Sequence, residues 1–292
     1  MLYVIRPGDT MFRVAQRNRT TIAALMKANL ICNPRVAVTG DLILIPRPGV
    51  QLPRLGSGPY YVLLPGDSLE CIANCTSTSV SNILRNNGIH NTRRLFPGAE
   101  LLIGGARPDG DSLYLDWNNR PLNNQLTEEQ RSIYYQETFS WQALGAKAVT
   151  PLLKLLPHDC PEVRYYSILS LGRLGIDQGS LSALETISDD RHRDNRKLAR
   201  LAMDRIMLSR QGYRRTRLLI KGDRLIDDLN RISPAATPLV EGTGVTVLKW
   251  HIPDPGAQEY SNGGVMLYDY VQVVASGQKG FLVRRHGELN LI

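Results

Sequence analysis

Displaced by 58 residues, the segment 3–45 falls on 61–103 without a gap. Tyr3/Tyr61, Pro7/Pro65, Gly8/Gly66, Asp9/Asp67, Asn29/Asn87, Asn33/Asn91 and Gly40/Gly98 coincide, and Thr10/Ser68 and Ile22/Val80 are conservative. An internal repeat of this kind fixes the front of the chain as one small module made twice. Whatever the rest of the chain does, a duplicated module suits a repetitive ligand.

Each copy reads as strand, helix, helix, strand. Tyr3 to Arg6 is β-prone, Pro7 and Gly8 break it, and Asp9 or Thr10 can cap a helix that carries Val14 and Ala15. Thr20 or Thr21 can cap a second helix, in which Ile22, Leu25 and Met26 recur at three- and four-residue spacing. A loop rich in Asn and Pro follows, Thr39 and Gly40 turn the chain into the strand Leu42 to Ile45, and Pro46 ends it. The spacer 47–59 is rich in proline and glycine and reads as short and semi-extended.

The order Tyr-x-Val, Pro-Gly-Asp-Thr/Ser, a hydrophobic residue, an Asn closing the second helix and a late Gly before the last strand resembles the LysM domain in both copies. That resemblance implies a shallow groove for N-acetyl sugars between the strand-to-helix loop and the loop before the second strand. Carried over by position, the groove of the first copy uses Gly8, Asp9, Thr10, Met11, Ile31, Asn33, Pro34, Arg35 and Val36. The second uses Gly66, Asp67, Ser68, Leu69, Ile89, Asn91, Thr92, Arg93 and Arg94. Loop backbone groups would pair with the sugar's amide, and Met11, Leu69 or Ile31 would meet its methyl group. Gly8 and Asp9 also serve as a plain turn and cap. The exchanges Pro34/Thr92 and Val36/Arg94 leave the two grooves unequal.

The segment 105–126 reads as a linker in which Leu113, Tyr114, Leu115 and Trp117 form an anchor. From Thr127, where Gln130 completes a capping box, the pattern turns helical. Residues 148–175 pair an apolar helix with a second one opening on Val163-Arg164 and ending Leu171-Gly172-Arg173-Leu174-Gly175. This resembles a HEAT repeat, and 180–207 looks like a looser copy, so 127–211 is expected to stack as helical repeats. Residues 212–292 change to β-prone segments, 217–220, 245–248, 266–274 and 280–283, separated by Gly, Pro and Asn. Their order resembles a bacterial SH3-like domain with an insertion at 250–264, where Trp250, Tyr260, Tyr268 and Tyr270 either line a peptide groove or pack a core. The expected architecture is multidomain α+β: LysM modules over 1–46 and 60–104, HEAT-like repeats over 127–211 and a small all-β SH3-like barrel over 212–292.

Of the chain's net charge of +8, the stretch 191–224 alone supplies +9, twelve Lys or Arg against three Asp. That favours a wall polyanion or an acidic protein as a partner; no nucleic-acid motif accompanies the charge, so nucleic acid ranks below them. No apolar run reaches a membrane span, so an integral membrane protein is not expected. Cys71 and Cys75 share a helix face and read as packing residues, and His158, Asp159 and Cys160 are too close in sequence to form a nucleophile with its base. No metal or cofactor is expected. Residues 1–12 show no basic, apolar leader, which points either to a leader preceding this sequence or to synthesis in the cytoplasm and another route to a wall or spore. The expectation is a non-catalytic adaptor that binds peptidoglycan, or chitin, through two modules. A wall hydrolase and an intracellular protein-interaction scaffold, for which the helical repeats and β domain would supply the surface, are the alternatives.

Overall fold

The computed structural model of the chain describes residues 2–29, 31, 39, 42–46, 60–63, 67–76, 78–92, 95, 100–103, 109–119, 134, 137–138, 140–253, 267–284 and 290–292. The duplication is visible in the backbone. In the first module β1 (Leu2–Val4) pairs antiparallel with β2 (Leu42–Leu44), and α1 (Met11–Arg17) and α2 (Ile22–Asn29) lie between them in sequence. The second repeats this with β3 (Tyr60–Val62), β4 (Glu100–Leu102), α3 (Leu69–Thr76) and α4 (Val80–Asn86). Leu2↔Leu44 in the first sheet corresponds to Tyr60↔Leu102 in the second, the same register displaced by 58 residues.

Local chemistry accounts for the helix starts. Thr10 Oγ accepts from the Arg13 amide and Thr21 Oγ from the Ala24 amide; Ser68 and Ser79 do the same for Cys71 and Asn82. Each module closes its own core, Ile5, Met11, Val14, Ala15, Leu25, Ile43 and Ile45 in the first and the corresponding residues in the second.

Helix α5 (Gly110–Asn118) lies within the segment read as a linker and buries Trp117 completely. The indole meets Tyr134 and Trp141 edge-on, with centroids 5.1 and 5.7 Å away, and its N–H donates to Glu137 at 2.7 Å. The anchoring segment is thus part of the helical core, although Leu115 stays exposed. Behind it α6 (Val149–Leu155) packs on α7 (Pro161–Leu174), α8 (Ser180–Glu185) on α9 (Arg193–Arg210), and α7 lies against α9. Pro161 opens α7 at a position where its missing N–H costs nothing, and Gly175 closes it in the left-handed conformation at φ 62°. The two helix pairs are tied by Arg164, whose Nε and Nη2 grip Asp190 at 2.6 and 3.1 Å.

The C-terminal part is an antiparallel sheet of six strands in the order β5-β8-β9-β10-β6-β7: Thr216–Leu218, Gly244–Pro253, Leu267–Val273, Lys279–Arg284, Asp223–Ile226 and Ala236–Leu239. The six named strands end in β5 on one side and β7 on the other and do not close on each other among the described residues; residues 290–292 run antiparallel beside Leu218 to Ile220. Along β10, Phe281 and Val283 face one cluster and Leu282 another. Both faces of the sheet are apolar, and both need a cover. One face is closed by Leu219, Leu225, Val245, Val271, Val273 and Leu291. The other receives the outer face of the first module: Leu2 and Leu44 pack with Ile252, Tyr268 and Phe281. Asn230 clasps Leu2 on both sides, accepting from its amide at 2.9 Å and donating to its carbonyl at 3.0 Å. Tyr268 and Tyr270 therefore pack this interface instead of lining a peptide groove; the side chain of Trp250 and the whole of Tyr260 lie outside the described residues.

The sheet is also joined to the helices. Ile292 pairs with Leu218 and buries its side chain in the helical core, where a Cβ on Gly172 would collide with its Cδ1. The helical glycine, expensive in propensity, leaves at this point the space that the Ile292 side chain fills.

Candidate functional site

The strand-to-helix loop of the first module is built around one carboxylate. Asp9 accepts from the Tyr3 hydroxyl at 2.5 Å, from the Arg6 amide at 2.9 Å and from Arg17 at 2.8 Å. Gly8 sits at φ 79° with open space where a Cβ would project, and its carbonyl accepts from Arg13 at 3.1 Å. The loop is held from both sides while its own backbone stays at the surface. In the second module Tyr61 donates to Asp67 at 2.6 Å in the same way. Cys71 and Cys75 stand where the first copy has Arg13 and Arg17, so the arginine clamp is absent from the second sequence.

The second loop is tied down by an asparagine. Asn29 donates to the Leu25 carbonyl at 2.9 Å and the Leu44 carbonyl at 2.7 Å, and accepts from the Leu44 amide at 2.6 Å. Asn87 makes the same three bonds to Ile83 and Leu102, at 2.7, 2.9 and 2.7 Å. The helix end and the final strand are thereby fixed at the two ends of the loop between them. Ile31 and Ile89, which open the second loop, are half-buried against the same cores as Met11 and Leu69, which close the first.

Two expectations need correction. Met11 and Leu69 are core residues, 1% and 8% exposed, so their side chains support the loops from below and offer no surface to a sugar methyl. Their helical position turns them inward together with Val14 and Ile72, leaving Ile31 and Ile89 as the accessible apolar edge. Cys71 is disulfide-bonded instead of being a packing thiol, whereas Cys160 is free and buried. Of the remaining expected groove residues, Gly8 and Thr10 are exposed, Ser68 caps α3, and Asn91 and Thr92 are exposed. Asn33, Pro34, Arg35, Val36, Gly66, Arg93 and Arg94 lie outside the described residues. Sequence reasoning left Tyr3, Tyr61, Asn29 and Asn87 out of the site, although their identity across the repeat was the signal that could have included them.

Electrostatics at the first loop follow from the clamp. The Tyr3 hydroxyl and the Arg6 amide, with Arg17 behind them, hold the Asp9 carboxyl below its ordinary value, and the same bond pushes the Tyr3 phenol up. A carboxyl whose folded value lies below the ordinary 3.8 stabilises the fold above that value, and the contribution is lost as pH falls through the folded value. Acidification below pH 3.8 is therefore expected to loosen this loop, and Asp9→Asn to weaken that dependence, read from the amide resonances of residues 6–10 across an acid titration. An unchanged acid transition in Asp9→Asn would sink the assignment.

Residues 3–46 and 61–104 each match the family model of the LysM domain, and these two segments are LysM domains. The N-acetylmuramoyl-L-alanine amidase sle1 of Staphylococcus aureus strain MRSA252 is 28% identical over 128 residues, covering 42% of this chain and 37% of that protein. Its counterpart in strain USA300 is 29% identical over the same span. The alignment thus takes in little more than a third of the length of these relatives. Among solved structures, the spore cortex-lytic enzyme SleL of Bacillus cereus aligns over 59% of this chain and 46% of that one, with 15% identity and a TM-score of 0.19. A likeness at that level carries no argument about fold or chemistry.

Proposed function

We propose that the chain is a non-catalytic adaptor that holds N-acetylglucosamine-containing glycan at a cell wall or spore, peptidoglycan foremost and chitin as the alternative polymer. The observation that carries this reading is the same two-loop frame built twice, Tyr3–Asp9 with Asn29 and Tyr61–Asp67 with Asn87. In the first module the frame sets the exposed turn at Gly8 and Thr10 at the end where Ile31 is half-buried, and in the second Ile89 is half-buried in the corresponding position, which suits an amide and its methyl group. The helical pairs, read as HEAT-like, and the sheet, read as SH3-like in order, would brace the modules or recruit an acidic protein or wall polyanion. In support, Arg191, Arg193 and Arg200 are exposed and have no acidic partner among the described residues. The test is cosedimentation of the full chain with purified peptidoglycan and with chitin; a protein that stays in the supernatant with both is not such an adaptor.

The name shared by the amidase relatives favours a second reading, a wall hydrolase whose LysM domains deliver it to substrate. It requires soluble sugar or peptide to be released from labelled wall by the full chain. Such release would displace the adaptor reading.

A further inference from the structure

Lys249 breaks the alternation of its own strand. In β8, Val245 and Val247 stand opposite Val273 and Val271, and all four pack on one apolar face of the sheet. Two residues further on, a regular strand would add Lys249 to that face, among valines where a cation is costly. The register instead shifts between Val247 and Lys249 and again between Lys249 and Ile252, which sets Lys249 opposite Tyr270 and Ile252 opposite Tyr268. Directly opposed residues of an antiparallel pair share a face, and Ile252, Tyr268 and Tyr270 belong to the face that the first LysM domain covers. The bulge thus re-aims the lysine from one side of the sheet to the other.

What the re-aimed side chain reaches is Asn29. Its ammonium donates to Asn29 Oδ1 at 3.0 Å, the same oxygen that takes the Leu44 amide at 2.6 Å. The Nδ2 end of that side chain donates to the carbonyls of Leu25 and Leu44. A charged donor on Oδ1 fixes which way the amide points and strengthens its remaining bonds by polarisation. Asn87 makes the same three bonds in the second domain, half-buried and with no cation on its oxygen among the described residues. We propose that Lys249 is a positioning residue: docking on the C-terminal sheet locks the end of α2 to β2 in the first LysM domain through this cation, whereas the second domain holds the equivalent junction by itself. A change at the bulge of β8 is then passed to the frame of the first domain through one side chain. This coupling follows from the docked arrangement and is independent of what the domains bind.

The experiment is amide hydrogen exchange on the full chain, for wild type, Lys249→Met, Lys249→Arg and Asn230→Ala, comparing Leu44 with its counterpart Leu102. Lys249→Met keeps an apolar stem and removes the donor. It is expected to speed exchange at Leu44 by about 10-fold or more, the size of a lost hydrogen bond to a charged group, and to leave Leu102 unchanged. Lys249→Arg restores a charged donor and brings Leu44 back towards the wild-type rate. Asn230→Ala loosens the seat at Leu2 without touching Asn29, and it speeds Leu44 as well because the lock requires docking. Equal Leu44 rates in wild type and Lys249→Met overturn the lock, and so does equal acceleration at Leu44 and Leu102, the mark of a general loss of stability. A soluble N-acetylglucosamine hexamer added to the same samples keeps the two conclusions apart. Leu44 exchange that depends on Lys249, in a chain that binds no hexamer, overturns the glycan reading and leaves the lock in place.

Discussion

Asp67→Ala is expected to lower retention of the chain on polymeric peptidoglycan by about 10²-fold or more, far beyond the twofold loss of one site in two. The substitution removes the acceptor for the Tyr61 hydroxyl, and with it the bond that shapes the loop ahead of α3. On the proposed glycan-binding reading, two weak sites on one chain would make the second encounter with a repetitive polymer intramolecular, and that advantage would disappear when either site fails. Asp9→Ala is expected to cost more still, because Asp9 gathers three donors. Retention is read from salt-resistant cosedimentation or from dissociation rates on immobilised wall. A loss of only twofold in both variants would mean that the modules bind independently.

Asp190→Ala is expected to destabilise the helical part by about 3–5 kcal/mol, the usual result of deleting one member of a buried ion pair. Burial pushes the Asp190 carboxyl up, but Arg164, the His192 amide and Asn195 together outweigh it and leave the group below its ordinary value. Arg164 in turn donates to the carbonyls of His158 and Asp159, at 2.7 and 3.0 Å, and Arg196 donates to the Asp190 carbonyl. The loop after α6 and the turn before α9 are thus stitched by one charge pair, and its loss leaves a shielded guanidinium without its carboxylate. Urea unfolding of Asp190→Ala provides the measurement. Replacing both partners, Arg164→Met with Asp190→Leu, should cost clearly less than Asp190→Ala alone, since no buried charge is then stranded. A single substitution costing under about 1 kcal/mol would show that the pair is solvated in practice.

Much of the site is legible in the order of the residues. Pro7-Gly8-Asp9-Thr10 marks a strand end, a turn and a helix cap within four residues, and each of those signals is local. The same holds for Pro161 and Gly175 at the two ends of α7. The inward turn of Met11 and Leu69 is less legible, because a residue at the first position of a short helix faces the core or the groove according to how the helix sits on its sheet. Strands β6 and β7 escape a sequence reading for a related reason: Asp223–Ile226 and Ala236–Leu239 are short and half polar, and pair at the sheet's edge.

The largest difference concerns the first module's surroundings. Leu2 and Leu44 look like ordinary strand residues, and nothing near them in sequence says what covers their outer face. The cover comes from Ile252, Tyr268 and Phe281, with Asn230 bonding Leu2 and Lys249 donating to Asn29 at 3.0 Å. Contacts between residues more than two hundred positions apart leave no periodic trace in a single sequence.

By itself the sequence determined that two LysM domains stand at the front with unequal loops, because duplication, caps and turns are written in adjacent residues. Only the tertiary structure decided that the first domain is seated on the C-terminal sheet, that this sheet is apolar on both faces, and that Met11 turns into its module's core while Phe12 is exposed. Those outcomes depend on which apolar faces find one another once the chain is folded, and burial of such faces is non-directional until the partner is in place.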